Sequence, residues 1–381
     1  MKTIPYGSQW IDDTDINAVC SVLKSDWLTQ GPMIERFEKE IAEYVGSRYA
    51  VAFNSGTSAL HGAMFAAGIT SGDEVITSPI TFVATPNSAA YQGAHPVFVD
   101  IDMGTYCIDP QCIKEVITEK TKVIAPVDMA GYPVDLPVIM EIAADHDVVV
   151  IEDAAHALGA MREGTRVGSE ADMTMFSFHP VKHITTGEGG IITTNREDFA
   201  ERLQLFRSHG ITKDPRRLIK NDGPWYYEMQ ELGYNYRITD LQCALGLSQM
   251  KKLEHFIARR NVIAKMYNDA FRDRPNIIIP PVPKAAQSRH AYHLYPIRVS
   301  GIDRKSVFLD LREQGIFCQV HYIPVHLQPY YQEVFGYREG DYPIAEEYYR
   351  AEISLPMFPR MTDDDVTQVI TTVQKVIQGN S

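Results

Sequence analysis

Lys182 stands in FSFHPVKHITTGEGG (176–190), directly after the apolar run DMTMFSF and among His, Pro, Thr and Gly. An unpaired ammonium at the end of a buried strand is expensive to desolvate. A lysine so placed either reaches solvent or gives up its charge, for example by bonding to a carbonyl carbon. Ser177 lies five residues before it on the same stiff segment and can donate to an anion. Asp153 closes the almost wholly apolar VVVIED, where a buried acid needs a cation or a hydrogen-bond donor. In NSGTSAL (54–60), Gly56 frees the backbone and Thr57 adds a hydroxyl at a helix start, which makes a small anion site. Phe82 in SPITFVATPNS follows a strand end and could stack on a flat heterocycle. Each of these has a plainer reading alone: a solvated lysine, a capping acid, an N-capped helix, a core ring.

Together they fit one cofactor, pyridoxal 5'-phosphate. Gly56, Thr57 and Ser177 would cradle the phosphate, Asp153 would meet the pyridine nitrogen, Phe82 would cover the ring and Lys182 would form the Schiff base. Lys182 and Asp153 are therefore the expected catalytic pair. No carboxylate or histidine cluster at ligand spacing accompanies Asp153, so no metal is expected.

The elements that must position these residues are legible as alternating apolar runs and helical patterns. AVAFN (50–54), DEVITS (73–78), HPVFVD (95–100), KVIAPVD (122–128) and DVVVIED (147–153) read as strands. GTSALHGAMFAAG (56–68) and DLPVIMEIAADHD (135–147) read as the helices between them. Such alternation predicts a mainly parallel sheet covered on both faces, with ligands at the carboxyl ends of the strands. The run 239–271 is longer than most globular helices and is expected to kink or bridge domains, and 210–236 reads as a long loop. Past the proline-rich PNIIIPPVPK (275–284) the pattern becomes strand (293–299), helix (303–315), strand (318–322) and final helix (362–378). The expected division is a large α/β domain with an N-terminal arm over 1–250 and a smaller α+β domain over 251–381.

Composition narrows the class further. With 381 residues, 45% hydrophobic and 22% charged, the chain has the make-up of a soluble globular protein and not of a disordered or fibrous one. Its net charge of −13 repels nucleic acid and anionic membranes, so neither is an expected partner and any anionic ligand must be held locally. Five scattered cysteines without a C-x-x-C, no signal-like N-terminus and no apolar run of membrane length point to a reduced, cytoplasmic protein. A nicotinamide-binding Rossmann fold lacks its G-x-G-x-x-G after the first strand.

The sequence resembles the sugar-nucleotide aminotransferases of the DegT/DnrJ/StrS family, within fold type I of the pyridoxal-phosphate enzymes. The likeness rests on SDWLTQGPMIERFEKEIAEYVG, NSGTSAL, SPITFVAT, FVDID, IEDAAHALGA, FSFHPVKHITTGEGG, GYNYRITDLQCALGLSQ and HYIPVHLQPYY, nearly end to end. It implies a homodimer with shared active sites, Asn235 reaching the partner's cofactor phosphate and His156, where many relatives carry Gln, near the ring oxygen. It also implies that Tyr6, Asp26, Trp27, Leu28, Thr29, His179, Glu188, His321, Tyr322 and His326 line the sugar-nucleotide pocket. Within the family the wording is most similar to UDP-4-amino-4,6-dideoxy-N-acetyl-altrosamine transaminases of pseudaminic acid synthesis. The implied reaction moves the amino group of glutamate, by way of pyridoxamine phosphate, to the C4 keto group of a UDP-4-keto-6-deoxy-N-acetyl-hexosamine. Other keto-sugar nucleotides, of bacillosamine or perosamine type, are the alternative, and a non-catalytic cofactor-binding regulator is a third reading. Related sugar dehydratases carry histidine in place of the lysine, and His183 stands beside Lys182 here.

Overall fold

The computed structural model describes residues 2–380. β1 (Tyr49–Phe53), β2 (Glu74–Thr77), β3 (His95–Phe98), β4 (Thr121–Ala125), β5 (Val149–Asp153), β6 (Met173–Ser177) and β7 (Gly190–Thr194) make one sheet, ordered β1-β7-β6-β5-β4-β2-β3. The block β6-β5-β4-β2-β3 is parallel, and β7 runs antiparallel between β1 and β6. Helices cover both faces, which is why Val51, Phe53, Val75, Ile124, Ile151 and Phe176 are sealed from solvent. The expected α/β, mainly parallel sheet of a fold-type-I enzyme is what forms.

One register decides where the chemistry sits. Gly190 of β7 pairs with Phe53 on one side and Ser177 on the other, so the ends of β1 and β6 are brought together across it. The chain leaves β1 into the helix Gly56–Ala66, whose start is fixed by a reciprocal Ser55–Ser58 capping box. A Cβ on Gly190 would lie 2.5 Å from the Ser55 carbonyl oxygen and 2.7 Å from the Gly56 nitrogen, so only glycine admits this approach.

A second sheet, β8 (Ile277–Ile278), β9 (Tyr295–Val299) and β10 (Glu352–Leu355), is antiparallel throughout. With the helices Leu253–Phe271, Arg304–Glu313 and Asp363–Asn380 it encloses a separate core that includes Tyr267, Ile297, Leu311, Ile353 and Val369. Ile4 belongs to this core. Its N–H donates to the Gly315 carbonyl and its own carbonyl accepts from Phe317, each at 2.9 Å. The arm continues to Tyr6, whose carbonyl accepts the Met357 N–H at 3.0 Å.

The long helical run does break, into Asp240–Met250 and Leu253–Phe271. Lys252 at the break is held by Asp12 at 2.6 Å and by the buried Asp15 at 2.7 Å. The strand expected over 318–322 does not form. Gln319 makes one bridge to Ser354, and the N–H two residues on, that of His321, is drawn off by the Glu352 carboxylate at 2.8 Å. β10 supplies the strand instead. The loop 210–236 carries a two-residue ladder, Ile211–Thr212 with Glu228–Met229, and one bridge from Asn235 to Ser208.

Candidate active site

A cavity of 490 Å³ opens at the carboxyl ends of β1, β5 and β6. Ser55, Gly56, Thr57 and Ser177 form one end of it. There the free N–H groups of the helix start and three hydroxyls surround a space suited to a phosphate. A Cβ on Gly56 would come 3.3 Å from that of Ser177, so the absent side chain is what keeps the space open.

Asp153, at the end of β5, is buried beneath the middle of the cavity. Thr85 Oγ1 donates to its Oδ2 at 2.5 Å, and the Ala155 N–H donates to Oδ1 at 3.1 Å. Burial raises the carboxyl above its ordinary range, while Thr85, the Ala155 amide and Lys182 hold it back. Thr81 and Thr85, 2.9 Å apart, extend this support into the helix Ala84–Ala90.

Lys182 reaches the cavity from a turn closed by its N–H to the His179 carbonyl, 2.9 Å away. Burial pushes its ammonium down to about 8, with Asp153 acting in the opposite sense. Nζ lies 3.4 Å from His293 Nε2, and the His293 ring lies 4.4 Å from that of His156. Burial keeps both imidazoles neutral, far below the usual histidine range. The buried Arg260 donates through Nη1 to the carbonyls of Tyr292, His293 and Met357 at 3.0, 3.1 and 2.9 Å, fixing the backbone that presents His293. His183 turns away to the Ala291 carbonyl at 3.2 Å, so the lysine, and not its neighbour, faces the cavity.

The other wall brings together Tyr6, His179, Glu188, His321 and Tyr322. Tyr322 Oη lies 3.1 Å from His156 Nε2, and the Tyr6 ring lies 5.7 Å from His321. Phe82 stands at the rim, 58% exposed, 6.1 Å from the Tyr322 ring. Asp26, Trp27, Leu28 and Thr29 lie outside this cavity on the surface, where Trp27 is 56% exposed, and Asn235 is likewise a surface residue. His326 also lies outside this cavity: it is fully buried with Nε2 3.1 Å from Glu346, in the seam around the helix Pro343–Ala351. Thr85 and His293 were not singled out from sequence. Thr85 lies three residues past Phe82, and His293 stands two residues before β9, next to a run that reads as a strand in the sequence.

The residues present fit pyridoxal phosphate. His156 Nδ1 is buried without a partner among the described residues, and so is His293 Nδ1, which leaves polar capacity for a bound ring. With the phosphate cradle at one end and Asp153 below, the cavity and the sheet define a pyridoxal-phosphate-dependent transferase of fold type I. The model of the DegT/DnrJ/EryC1/StrS aminotransferase family matches residues 9–374, and the chain belongs to that family. It is 42% identical over 381 residues to the spore coat polysaccharide biosynthesis protein SpsC of Bacillus subtilis, covering 99% of this chain and 97% of that one. It is 36% identical over 382 residues to the UDP-4-amino-4,6-dideoxy-N-acetyl-beta-L-altrosamine transaminase of Campylobacter jejuni, covering 98% of each. Among solved structures, Helicobacter pylori PseC, an aminotransferase involved in pseudoaminic acid biosynthesis, superposes with a TM-score of 0.92 at 34% identity, over 99% of this chain and 100% of that one. The PLP form of the putative sugar aminotransferase Spr1654 from Streptococcus pneumoniae superposes with a TM-score of 0.93 at 31% identity over the whole of both chains. The chain is a PLP-dependent sugar aminotransferase.

Proposed function

We propose that the chain transfers the amino group of glutamate to the C4 keto group of a UDP-linked 4-keto-6-deoxy-N-acetyl-hexosamine, giving a 4-amino sugar nucleotide of the pseudaminic acid type. The observation that carries this is Lys182, its ammonium pushed down to about 8 by desolvation, facing a cavity large enough for a sugar ring, in a chain 36% identical to an altrosamine transaminase.

Bound pyridoxal phosphate supplies an aldehyde that carries the amino group and a ring that accepts the electrons released at carbon. Gly56, Thr57 and Ser177 hold its phosphate, and Asp153 keeps a proton on the ring nitrogen. Lys182 Nζ removes the proton from the α-carbon of glutamate and, in the second half-reaction, delivers one to the sugar C4. Tyr6, His321 and Tyr322 exclude water from that face, and His179 and Glu188 border the entrance. Asn235, exposed in one chain, reaches the cofactor phosphate of the other in a homodimer that works in the cytoplasm. Asp26, Trp27, Leu28 and Thr29 contribute to the nucleotide pocket of the same dimer. The similarity to SpsC, at 42%, favours a second reading in which the acceptor is another keto-sugar nucleotide on the route to a polysaccharide.

Visible absorption of the holoenzyme tests both. Glutamate alone should bleach it, and the correct UDP-keto sugar should restore it. Bleaching that only a different keto-sugar nucleotide reverses selects the second reading, and colour that glutamate leaves untouched overturns the donor.

A further inference from the structure

Glu352 and Ser354 of β10 form, with His321, a hydrogen-bonded file that the amino-transfer reading leaves unused. Ser354 Oγ is 2.5 Å from Glu352 Oε1 and 2.9 Å from His321 Nδ1. The second carboxyl oxygen, Oε2, accepts the His321 backbone N–H at 2.8 Å, which fixes the acid against the residue it serves. Glu352 and Ser354 are sealed from solvent, whereas His321 lines the cavity. Nδ1 being engaged, Nε2 is the ring nitrogen left for a ligand, and it makes no hydrogen bond among the described residues.

The file has two complete arrangements. With Glu352 ionised, Ser354 donates to Glu352, His321 Nδ1–H donates to Ser354, and Nε2 carries a lone pair. With Glu352 protonated, every hydrogen moves one place: Glu352 donates to Ser354, Ser354 donates to Nδ1, and Nε2 carries the hydrogen. The two differ by one proton, and neither contains an imidazolium.

We propose that Glu352, Ser354 and His321 are a proton relay in which Nε2 takes one proton from, or returns one to, an ammonium or hydroxyl group in the cavity. The step balances. A ligand N–H or O–H bond breaks as Nε2–H forms, Nδ1 passes its proton to Ser354 Oγ, and Ser354 passes its own to the carboxylate. The ligand loses one positive charge, or gains one negative, and Glu352 becomes neutral. Its use rests on the amino-transfer reading, because a donor ammonium must shed a proton before its nitrogen can attack a carbonyl.

Burial suits both ends of the file. It pushes the His321 imidazole down to about 3, which closes the imidazolium route, and pushes Glu352 up to about 8, within reach of neutral pH. Lys182, Tyr6 and Tyr322 surround His321, and Tyr348 Oη donates to its carbonyl at 3.2 Å. Facing Glu352 are Arg298, its register partner on β9, Arg304 of the neighbouring helix, Tyr106, Tyr322, Tyr348 and Cys318. Lys182 acts on His321 in the same sense as burial, and Arg304 partly offsets burial at Glu352.

Histidine ¹⁵N resonances of the labelled holoenzyme test the relay, with His321→Asn identifying the signal. Between about pH 6 and about pH 10 the hydrogen on His321 should move from Nε2 to Nδ1 without an imidazolium signature. Ser354→Ala should abolish that exchange. Glu352→Gln, whose amide donates permanently to Ser354, should hold Nε2–H throughout and decides the matter if Ser354→Ala fails to fold. A single tautomer in the wild type, or an exchange that survives in the variants, overturns the relay. The readout needs no substrate, so a relay that exchanges in a protein glutamate cannot bleach would stand while the amino-transfer reading fell.

Discussion

Lys182 and Asp153 share a cavity in which burial drives both toward neutrality, and what separates them is their supports. Asp153 has Thr85 and an amide N–H to stabilise its charge; Lys182 has only a neutral imidazole at 3.4 Å and a more distant carboxylate. An amine must be neutral to bond a carbonyl carbon, and Lys182 is neutral above about 8 and protonated below. The rate constant for cofactor uptake by the apoprotein should therefore level off above that value and fall about tenfold for each pH unit below it. Stopped-flow absorbance measures this directly, and a flat profile would assign the depressed value to another group. Lys182→Arg should keep the fold by circular dichroism yet lose more than about a thousandfold in turnover, since arginine is neither neutral nor nucleophilic at these pH values.

At the scale of elements, the site depends on β7 more than on any strand that carries a functional side chain. Gly190→Ala would drive a methyl group into the Ser55 carbonyl at 2.5 Å, and the atoms it meets are backbone of Ser55 and Gly56, which cannot swing aside as a side chain would. Overpacking of this kind costs about 1–3 kcal/mol. Thermal unfolding of the apoprotein should show that loss, and retention of cofactor on dialysis should weaken with it, because the Ser55–Gly56 turn is part of the phosphate cradle. Unchanged retention would separate the cradle from the strand. Six of the seven strands of the large sheet were legible, because strands buried on both faces read as unbroken apolar runs. The glycine's role was not, since it lies in a register between strands distant in sequence. β10 was missed for a related reason: EISL carries a glutamate and a serine that look solvated, yet both are buried because they bond to His321. Of the residues expected at the site, Lys182, Asp153, Ser177, Gly56 and Thr57 converge within one chain. His293 escaped notice because its meaning depends on Lys182, 111 positions away.

At the scale of the molecule, several large side chains remain on the surface: Ile219 at 88% exposure, Leu232 at 73% and Trp225 at 72%, all in the loop 210–236. Apolar surface gathered on one loop is costly in water and favours burial against another chain. The proposed shared-site dimer makes a specific prediction. Mixing Asn235→Ala subunits with Lys182→Arg subunits should regenerate up to about a quarter of wild-type activity, since half of the dimers are mixed and each holds one sound site. Mixtures no more active than their parents would mean that Asn235 serves its own chain.

The arm from Ile4 to Tyr6 carries a consequence for how the protein comes into being. These residues are made well before the parts they join: Ile4 berths between Gly315 and Phe317, and Tyr6 against Met357. Domains generally fold as units during synthesis, and the seven-stranded sheet is complete by Thr194, long before that berth exists. A nascent chain can thus hold the phosphate cradle, Asp153 and Lys182 in place while the wall bearing Tyr6 and His321 is still missing. The pocket closes over its lysine only once synthesis has passed Met357.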